Sequence, residues 1–283
     1  MNVLVLGGDK RYLEIINSFI KKDYKVDLVG YKTKIDKTNI LDIKDVDVSK
    51  YDIILFPVNG IKEDYIINGQ FDFQISPDFL EKTNENVLIF SGIKTPILDQ
   101  LLKKSNRGAI ILMKEKDIIK ENFIPTVEGI IADIIVNTNI TLKGANVLVI
   151  GYGNVGKYLT DILNKLGCNT IVSIKEKQDK IILNDKNIHN IFSDDKNTMH
   201  NVLMSIDIII NTVPKLVLNK DYINFIKKEA YVLDIASHPH GIDQEALKEK
   251  GINYKIYLGI PSKVASKTSG LILTKKINTL IGG

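Results

Sequence analysis

The stretch NVLVIGYGNVG, residues Asn146 to Gly156, decides the fold of this chain. Its first five residues form an apolar run of the kind found in buried parallel strands. Three glycines follow at positions 151, 153 and 156, and apolar residues then recur at helical spacing as far as Gly167. A strand, a GxGxxG turn and a helix in this order predict a dinucleotide-binding unit.

Each glycine of this turn has its own physical reason. The first permits the tight bend, the second lets the backbone approach a diphosphate, and the third lets the helix pack against the strand. The helix N-terminus then offers N–H groups and a partial positive charge to the phosphates. A purely structural glycine turn is the alternative. The residues expected to contact the cofactor here are Gly151, Tyr152, Gly153, Asn154, Val155 and Gly156.

The composition excludes several classes of protein. The chain has 283 residues, enough for two domains, and its 44% apolar and 25% charged residues are ordinary for a globular protein. The net charge of +4 comes without a basic block, so nucleic-acid binding is not indicated. No apolar run reaches the ~20 residues of a membrane span, and the N-terminus does not resemble a signal peptide. The single cysteine, Cys168, is interpreted as a buried apolar side chain, and we expect a cytoplasmic protein.

Short apolar runs alternate with helical segments along the whole chain. This alternation predicts an α/β protein with two doubly wound parallel-sheet domains, the second a Rossmann NAD(P)-binding domain. The predicted strands are Val3–Leu6, Val26–Val29, Ile53–Phe56, Val87–Phe90, Ala109–Leu112, Val147–Ile150, Thr170–Ile174, Ile208–Asn211, Tyr231–Asp234 and Tyr254–Tyr257.

The domain boundary is expected near residue 123. Residues 1–122 are predicted to form a substrate and catalytic domain, and residues 123–264 the Rossmann domain. A final helix within 265–283 is expected to pack back on the first domain, by analogy with dehydrogenases of this layout. Pro125 is expected at the first position of a helix that runs to about Ile140 and links the domains.

The residues after the second strand of the later domain bear on the choice of cofactor. NAD enzymes place an acid there for the ribose 2′-hydroxyl, whereas NADP enzymes supply a cation for the 2′-phosphate. Lys175 favours NADP, and Glu176 at the next position leaves NAD possible. A solvated turn is the alternative for this segment. Two later strand ends are expected to line the same site, through Thr212, Val213, Pro214 and Ala236.

The sequence GGDKR after the first strand lacks the third glycine of a nucleotide turn. Asp9 is expected to cap the next helix, which places Arg11 in its first turn, where a guanidinium can pair bidentately with a carboxylate. Ser91, in the similar corner IFSGI, is a second candidate for carboxylate binding. The alternative for Arg11 is an exposed helix residue.

Few residues are candidates for proton transfer. His238, beside Ser237 after a strand, could act as an acid or base near neutral pH, whereas His240 is expected to be a solvated loop residue. Glu128 is the other candidate, although a first-turn glutamate also stabilises a helix without any chemistry. No histidine or cysteine pair has the spacing of metal ligands, so no metal site is predicted.

Seven motifs together resemble one family over nearly the whole chain, the A subunit of dipicolinate synthase from spore-forming bacteria. They are GGDKR (7–11), IFSGI (89–93), PTVEG (125–129), GYGNVG (151–156), NTVP (211–214), DIASHPHG (234–241) and GIPSKVASKTSG (259–270).

The resemblance implies an NADP-dependent oxidation that ends in dipicolinate during sporulation. The substrate would be dihydrodipicolinate, or hydroxytetrahydrodipicolinate with loss of water. The resemblance also implies a location in the mother-cell cytoplasm and a flavoprotein-like B subunit as the partner. A homo-oligomer of this chain is a further expectation. Lys267 matches a lysine of the family's final motif, and with Arg11, Ser91 and Thr126 it is expected to bind the substrate. Glu128 with Ser237 or His238 is expected to transfer the proton, although the resemblance itself places an arginine at the position of His238 in some relatives.

Two other functions stay open on the sequence. One is a two-domain NAD(P)-dependent dehydrogenase that acts on a 2-hydroxy or 2-amino acid. The other is a regulatory protein that binds a nucleotide without turning over a substrate.

Overall fold

The computed structural model describes residues 1–282. The strands are β1 (Asn2–Leu6), β2 (Lys25–Val29), β3 (Thr38–Ile40), β4 (Ile53–Leu55), β5 (Ile66–Ile67), β6 (Phe73–Gln74), β7 (Leu88–Ser91), β8 (Ile110–Ile111), β9 (Asn146–Ile150), β10 (Asn169–Ile174), β11 (His189–Phe192), β12 (Ile208–Asn211), β13 (Tyr231–Asp234) and β14 (Asn253–Ile256).

The α-helices are α1 (Tyr12–Lys21), α2 (Pro96–Ser105), α3 (Lys116–Glu121), α4 (Phe123–Asn137), α5 (Asn154–Lys165), α6 (Lys177–Asp185), α7 (Lys196–Leu203), α8 (Lys220–Ile223), α9 (Gln244–Lys250), α10 (Ile260–Val264) and α11 (Ser266–Gly282). Short 3-10 helices span Ile43–Asp45, Val48–Lys50, Glu63–Tyr65, Phe79–Lys82 and Leu112–Lys114.

The chain divides into two compact units. The first contains Met1–Asn122 and the residues from Ala265 onward, and the second contains Phe123–Val264. Helix α11 packs on α1 in the first unit. A Cβ added to Gly270 would lie 2.5 Å from the Arg11 carbonyl oxygen, so the two helices approach this closely only because glycine stands there. The final helix was predicted within 265–283, and residue 283 lies outside the described residues.

The sheet of the first unit has six parallel strands in the order β3-β2-β1-β4-β7-β8, and β5 pairs with β6 in a separate antiparallel ribbon. Both faces of the main sheet are covered. Val3 and Val5 lie in one buried apolar cluster, whereas Leu4 and Leu6 lie in another. Because successive strand residues point to opposite faces, these clusters are the cores on the two sides of the sheet.

The sheet of the second unit is also parallel, in the order β11-β10-β9-β12-β13-β14. If the six strands of each main sheet are numbered in the order in which they occur along the chain, both sheets have the Rossmann strand order 3-2-1-4-5-6. The order reverses between β9 and β12 in the second unit, which is where ligands bind in such sheets. The prediction of two doubly wound parallel sheets is confirmed.

The structure departs from the predicted elements in two ways. The edge strands β3 and β11 escaped prediction because they are short and mix polar with apolar residues, as edge strands commonly do. The strands β5 and β6 also escaped, since each has only two residues. Helix α4 begins at Phe123 and ends at Asn137, so the prediction that Pro125 starts it was wrong. Proline is tolerated there because first-turn N–H groups have no partner within the helix.

Among the helices of residues 1–282, none combines the length and the apolar character that a bilayer-spanning segment needs.

Candidate functional site

The turn between β9 and α5 carries the three fingerprint glycines. Gly151 has a φ of +97°, and a Cβ there would lie 2.5 Å from Thr212 Oγ1. A Cβ at Gly156 would lie 2.2 Å from the Gly151 carbonyl oxygen. Any larger residue at position 156 would push α5 off the turn. The fold itself therefore requires the first and third glycines.

The fold does not require Gly153. A Cβ built there meets no heavy atom of the described residues within 4 Å, and its φ of −75° and ψ of −165° suit any residue. Gly153 precedes α5, a helix of 12 residues whose N-terminus receives no side-chain cap from residues 1–282. Open space above a helix N-terminus with a partial positive charge fits the diphosphate of a dinucleotide.

The side chain of Tyr152 is buried and holds this turn in place by packing. It is 6% exposed and packs with Val172, Ile174 and Leu183. The Lys157 ammonium lies 5.1 Å from the ring centroid, and burial raises the pKa of the phenol. Tyr152 therefore ties the turn to β10 and α6, which leaves its backbone to meet a cofactor.

The segment after β10 is exposed. Lys175 and Glu176 both lie at the surface, and Glu176 occupies the capping position of α6. Lys175 forms no ion pair with any of residues 1–282. A cation for a 2′-phosphate and a carboxylate for a 2′-hydroxyl are thus both accessible.

A buried hydrogen-bond network joins the carboxyl ends of β12 and β13. The side chains of Asn211 and Asp234 are fully buried. Asn211 Nδ2 donates to Asp234 Oδ1 and to the Val213 carbonyl, and its Oδ1 accepts from the Val213 N–H, each at 3.0 Å. Asp234 also accepts from the N–H groups of Ala236 and Gly241, both at 2.8 Å. Two strand ends and two loops are thereby fixed together.

The sequence pattern identified the loop residues but missed the pair that holds them. Four of the expected cofactor contacts lie on these two loops, and they are Thr212, Val213, Pro214 and Ala236. The Thr212 hydroxyl donates its proton to the Ile150 carbonyl at 2.9 Å, so this proton is not available to a ligand. Asn211 and Asp234 had a signal in the sequence, because each is a polar residue that ends an apolar parallel strand.

The loop after β13 presents two of the predicted proton-transfer residues. Ser237 and His238 are exposed. His240 was expected to be solvated, but it is half-buried and its Nδ1 lies 2.9 Å from the Ala236 carbonyl oxygen. The two histidine ring centroids are 5.7 Å apart. His240 therefore braces the loop, whereas the His238 ring is accessible to a ligand.

Helix α4 carries the other two candidates of the second unit. Glu128 is exposed and Thr126 is half-buried. Helix α4 packs closely on α10 at Gly129. A Cβ there would lie 2.2 Å from Ile260 Cγ2, so only glycine fits at this contact. No hydrogen bond within residues 1–282 joins Glu128 to Ser237 or His238. Ser237 and His238 thus share the loop after β13, whereas Glu128 lies on α4 and forms no hydrogen bond with either of them among the described residues.

The glycine turn of the first unit is filled by its own chain. Gly7 and Gly8 have φ of +61° and +108°. The Gly8 N–H donates to the Asn68 carbonyl at 2.9 Å, and a Cβ at Gly7 would lie 2.2 Å from that same oxygen. A Cβ at Gly8 would lie 2.6 Å from the Tyr12 ring. The space that a diphosphate would need is occupied, so this turn is not a second dinucleotide site.

Arg11 lies beside that turn with its guanidinium held by Asp9. Its side chain is 8% exposed, Nε donates to Asp9 Oδ1 at 2.9 Å, and Nη2 donates to Oδ2 at 2.6 Å. Helix α1 begins at Tyr12, and Asp9 accepts from the Arg11 N–H at 3.0 Å. The prediction that Asp9 caps this helix was wrong, because the carboxylate serves Arg11 instead. Arg11 Nη1 has no hydrogen-bond partner within residues 1–282, so it can donate to a ligand.

The N-terminus of α11 adds a second cation to the first unit. Lys267 is exposed and lies three residues before Gly270, the residue that contacts the Arg11 carbonyl. Lys267 therefore lies about one helical turn from the residue that meets the Arg11 backbone. Ser91 differs, since it is fully buried and its hydroxyl donates to the Ile93 carbonyl at 2.9 Å. Its one proton is therefore not available to a carboxylate.

The cysteine and the acidic and histidine side chains form no further site in the part of the chain that the structure describes. No group of three His, Cys, Asp or Glu side chains within residues 1–282 is arranged to hold a metal ion. Cys168 is buried, and burial raises the pKa of its thiol. This environment agrees with the interpretation of Cys168 as a small apolar side chain.

Two family models match the chain, one in each unit. The model for the N-terminal domain of the dipicolinate synthase A subunit matches residues 2–113. The model described as S-adenosyl-L-homocysteine hydrolase, NAD binding domain, matches residues 122–266. The second match supports a nicotinamide dinucleotide as the cofactor of the unit that holds the fingerprint turn.

Known proteins similar to the whole chain agree with these matches. The crystal structure of the dipicolinate synthase A subunit from Bacillus halodurans has a TM-score of 0.93 at 31% identity, covering 100% of this chain and 98% of that one. The A subunit of dipicolinate synthase from Bacillus subtilis (strain 168) is 29% identical over 290 residues, covering 99% of this chain and 96% of that protein. A transhydrogenase from Sinorhizobium meliloti shares the fold alone, with a TM-score of 0.69 at 11% identity over 98% of this chain and 93% of that one.

Proposed function

Because this chain belongs to the family of dipicolinate synthase A subunits, we propose that it oxidises a dihydrodipicolinate ring to dipicolinate with a nicotinamide cofactor. The observation that carries the proposal is the turn at 151–156. There Gly153 faces open space at the N-terminus of α5, in a chain that is similar to the family over its full length. The family and the NAD-binding domain support an oxidoreductase, and the reaction at a CH–CH donor is the proposed refinement.

The proposed reaction removes two electrons and two hydrogens from the ring. One ring carbon loses a hydride, a second ring atom loses a proton, and the ring becomes aromatic. When bound, the oxidised nicotinamide accepts the hydride. A hydroxytetrahydrodipicolinate substrate would first lose water. Because aromatisation makes the oxidation favourable, the residues of this chain mainly need to align the two reactants.

Arg11 and Lys267 are the proposed partners of the substrate carboxylates. The Asp9 carboxylate binds the edge of the Arg11 guanidinium formed by Nε and Nη2 and leaves Nη1 for a ligand. Lys267 is exposed about one turn before Gly270, at the N-terminus of α11, whose partial positive charge also favours anions. Ser91 is proposed to shape this carboxylate site in the first unit, and Thr126, on α4 of the second unit, stays a proposed substrate-binding residue.

The ring proton needs a base, and the proposed candidates are Glu128, Ser237 and His238. All three are exposed to solvent. The His238 imidazole is an accessible base, and the adjacent Ser237 hydroxyl can relay a proton. Replacing His238 by alanine tests the assignment. A partial loss of kcat is expected for a ring oxidation driven by aromatisation, whereas a total loss would favour a 2-hydroxy acid dehydrogenase.

NADP is the proposed cofactor, with NAD as the alternative. The support is Lys175, a cation exposed immediately after β10, where a 2′-phosphate is recognised in this fold. Lysine binds phosphate as a point charge and lacks the fork of arginine. The preference for NADP is therefore expected to be modest and to weaken with added salt.

The cellular setting is proposed from the family. Relatives that are named as one of several subunits imply a companion, and we infer that the partner is a flavoprotein-like B subunit. The place and time would be the mother-cell cytoplasm during sporulation. A homo-oligomer of this chain is a further expectation, and size-exclusion chromatography with light scattering tests it on the purified protein.

The test of the function is a direct assay. The purified chain is mixed with dihydrodipicolinate and NADP or NAD, with and without the companion B subunit. Absorbance then follows the formation of NADPH or NADH. Dipicolinate formed in equal amount to the reduced nucleotide is expected. No turnover with either nucleotide in any combination would contradict the proposal, and tight NADP binding without turnover would favour a regulatory protein instead.

A further inference from the structure

We propose that Asn211 and Asp234 are positioning residues that fix the two loops beside the nicotinamide half of the cofactor. The proposal rests on the nicotinamide cofactor of the proposed function. Neither side chain needs to touch a ligand, because both are fully buried. They act through the loops at 212–214 and 235–241, whose backbone groups they bind.

The position of this pair relative to the fingerprint turn is set by strand register. Asn211 lies opposite Ile150, the last residue of β9, and opposite Asp234 on its other side. The pair is therefore level with the residue that precedes Gly151, one and two strands away. A dinucleotide whose diphosphate lies on the turn extends its nicotinamide half across these strand ends.

The hydrogen bonds of the buried Asp234 carboxylate depend on the conformation of its loop. A buried carboxylate is costly unless hydrogen bonds compensate it, and no Lys, Arg or His of residues 1–282 pairs with this one. Its three donors are Asn211 Nδ2 and the N–H groups of Ala236 and Gly241. Any opening of the loop would strip donors from a buried charge. The carboxylate thus restricts the loop to one conformation.

The two loops also meet directly at Gly241. Its carbonyl accepts from the N–H groups of Val217 and Leu218, both at 2.9 Å. A Cβ there would lie 2.2 Å from Asn211 Nδ2 and 2.6 Å from the Val213 carbonyl oxygen. An alanine at this position would therefore force the loops apart without removing any charge.

The variant Asp234→Asn tests the proposal. The amide keeps Oδ1 as an acceptor but places an NH₂ group opposite the Gly241 N–H, so two donors face each other. The test compares NADP with 2′-phospho-ADP-ribose, which has the diphosphate but no nicotinamide. We expect the affinity for NADP to fall about tenfold or more, because a buried donor is left unsatisfied. The affinity for 2′-phospho-ADP-ribose should change less than about twofold, since it lacks the group that the loops position.

A matched control makes the same chemical change elsewhere in the second unit. Asp243 caps α9 by accepting from the Ala246 N–H at 3.0 Å, and asparagine caps equally well. Asp243→Asn should therefore leave the affinities for both ligands unchanged. If Asp234→Asn does not fold by circular dichroism, Gly241→Ala takes its place, with the same split expected.

A measurement on the unmodified chain needs no variant. Hydrogen exchange at the N–H groups of Ala236 and Gly241 should slow when NADP is added and should not respond to 2′-phospho-ADP-ribose. Equal protection by the two ligands, or equal loss of both affinities in Asp234→Asn, would overturn the positioning role. So would a folded Asp234→Asn that binds NADP like the unmodified chain. If the unmodified chain binds no nicotinamide cofactor, the proposed function fails, and this inference fails with it.

Discussion

Replacing Gly153 and Gly156 one at a time by alanine should separate cofactor binding from folding. Both substitutions add one methyl group to the same turn. At Gly156 the new Cβ would lie 2.2 Å from the Gly151 carbonyl oxygen, about 1 Å inside an ordinary carbon–oxygen contact. At Gly153 it would meet no atom of residues 1–282 within 4 Å.

The two substitutions should change the free energy of unfolding of the second unit in different directions and by different amounts. Gly156→Ala overpacks backbone against backbone, so the free energy of unfolding of the second unit should fall by about 1–3 kcal/mol. Gly153→Ala should leave it unchanged or raise it by about 0.4–1 kcal/mol, because alanine adopts this φ and ψ without strain and loses less entropy on folding. The methyl group would nevertheless occupy the space proposed for the diphosphate. The affinity for NADP should therefore fall about tenfold or more, which is about 1.4 kcal/mol.

The assay combines two measurements on each variant. Urea denaturation followed by circular dichroism gives stability, since the chain contains no tryptophan to report on folding. Titration calorimetry with NADP and with NAD gives affinity. The reasoning is refuted if Gly153→Ala binds both nucleotides like the unmodified chain. It is equally refuted if Gly153→Ala loses as much stability as Gly156→Ala.

Three more substitutions test the charges and the core. Lys175→Glu should weaken NADP binding and spare NAD, and unchanged titrations with both would place Lys175 outside the pocket. Arg11→Lys should raise the KM for the dicarboxylate at unchanged nucleotide affinity, because lysine lacks the fork that Asp9 orients, with Arg107→Lys as the matched control. Burial raises the pKa of Tyr12. Stability should therefore fall as pH rises above about 10, since the unfolded chain releases this proton and the folded one keeps it. Tyr12→Phe should reduce that slope in alkaline urea titrations and cost about 1 kcal/mol at neutral pH for the lost hydrogen bond to the Phe56 carbonyl.

The features that the sequence predicts well are local ones. A strand, a turn and a helix in direct succession leave their signature in consecutive residues, and so the turn at 151–156 was placed correctly. The ten predicted strands are all present, with ends within one residue, because each coincides with a short apolar run in the sequence. The two strands of the main sheets that escaped, β3 and β11, lie at sheet edges, where burial is incomplete and the apolar signal is weak.

The features that the sequence could not show depend on contacts between distant segments. The residues next to Gly8 in the sequence do not indicate that the Gly8 N–H donates to the Asn68 carbonyl. Nothing in IFSGI shows that the Ser91 proton is already donated to Ile93. The link from Asn211 to Asp234 joins two strands that become neighbours only in the sheet. Residue types at strand ends indicate which residues face a ligand, but their hydrogen-bond partners decide which donors remain free.

The two units show why strand order alone does not determine the ligand. Both sheets have the same order, and both place glycines after the first strand. In the first unit the Asn68 carbonyl takes the Gly8 N–H and Tyr12 fills the adjacent space. In the second unit the residues around Gly153 leave that space empty among the described atoms, and helix α5 starts there without a side-chain cap. A diphosphate needs both the space and the donors, so only the second turn can hold one. The first turn instead lies beside the Arg11 guanidinium, which binds Asp9 through Nε and Nη2, and Nη1 is the nitrogen that has no partner within residues 1–282.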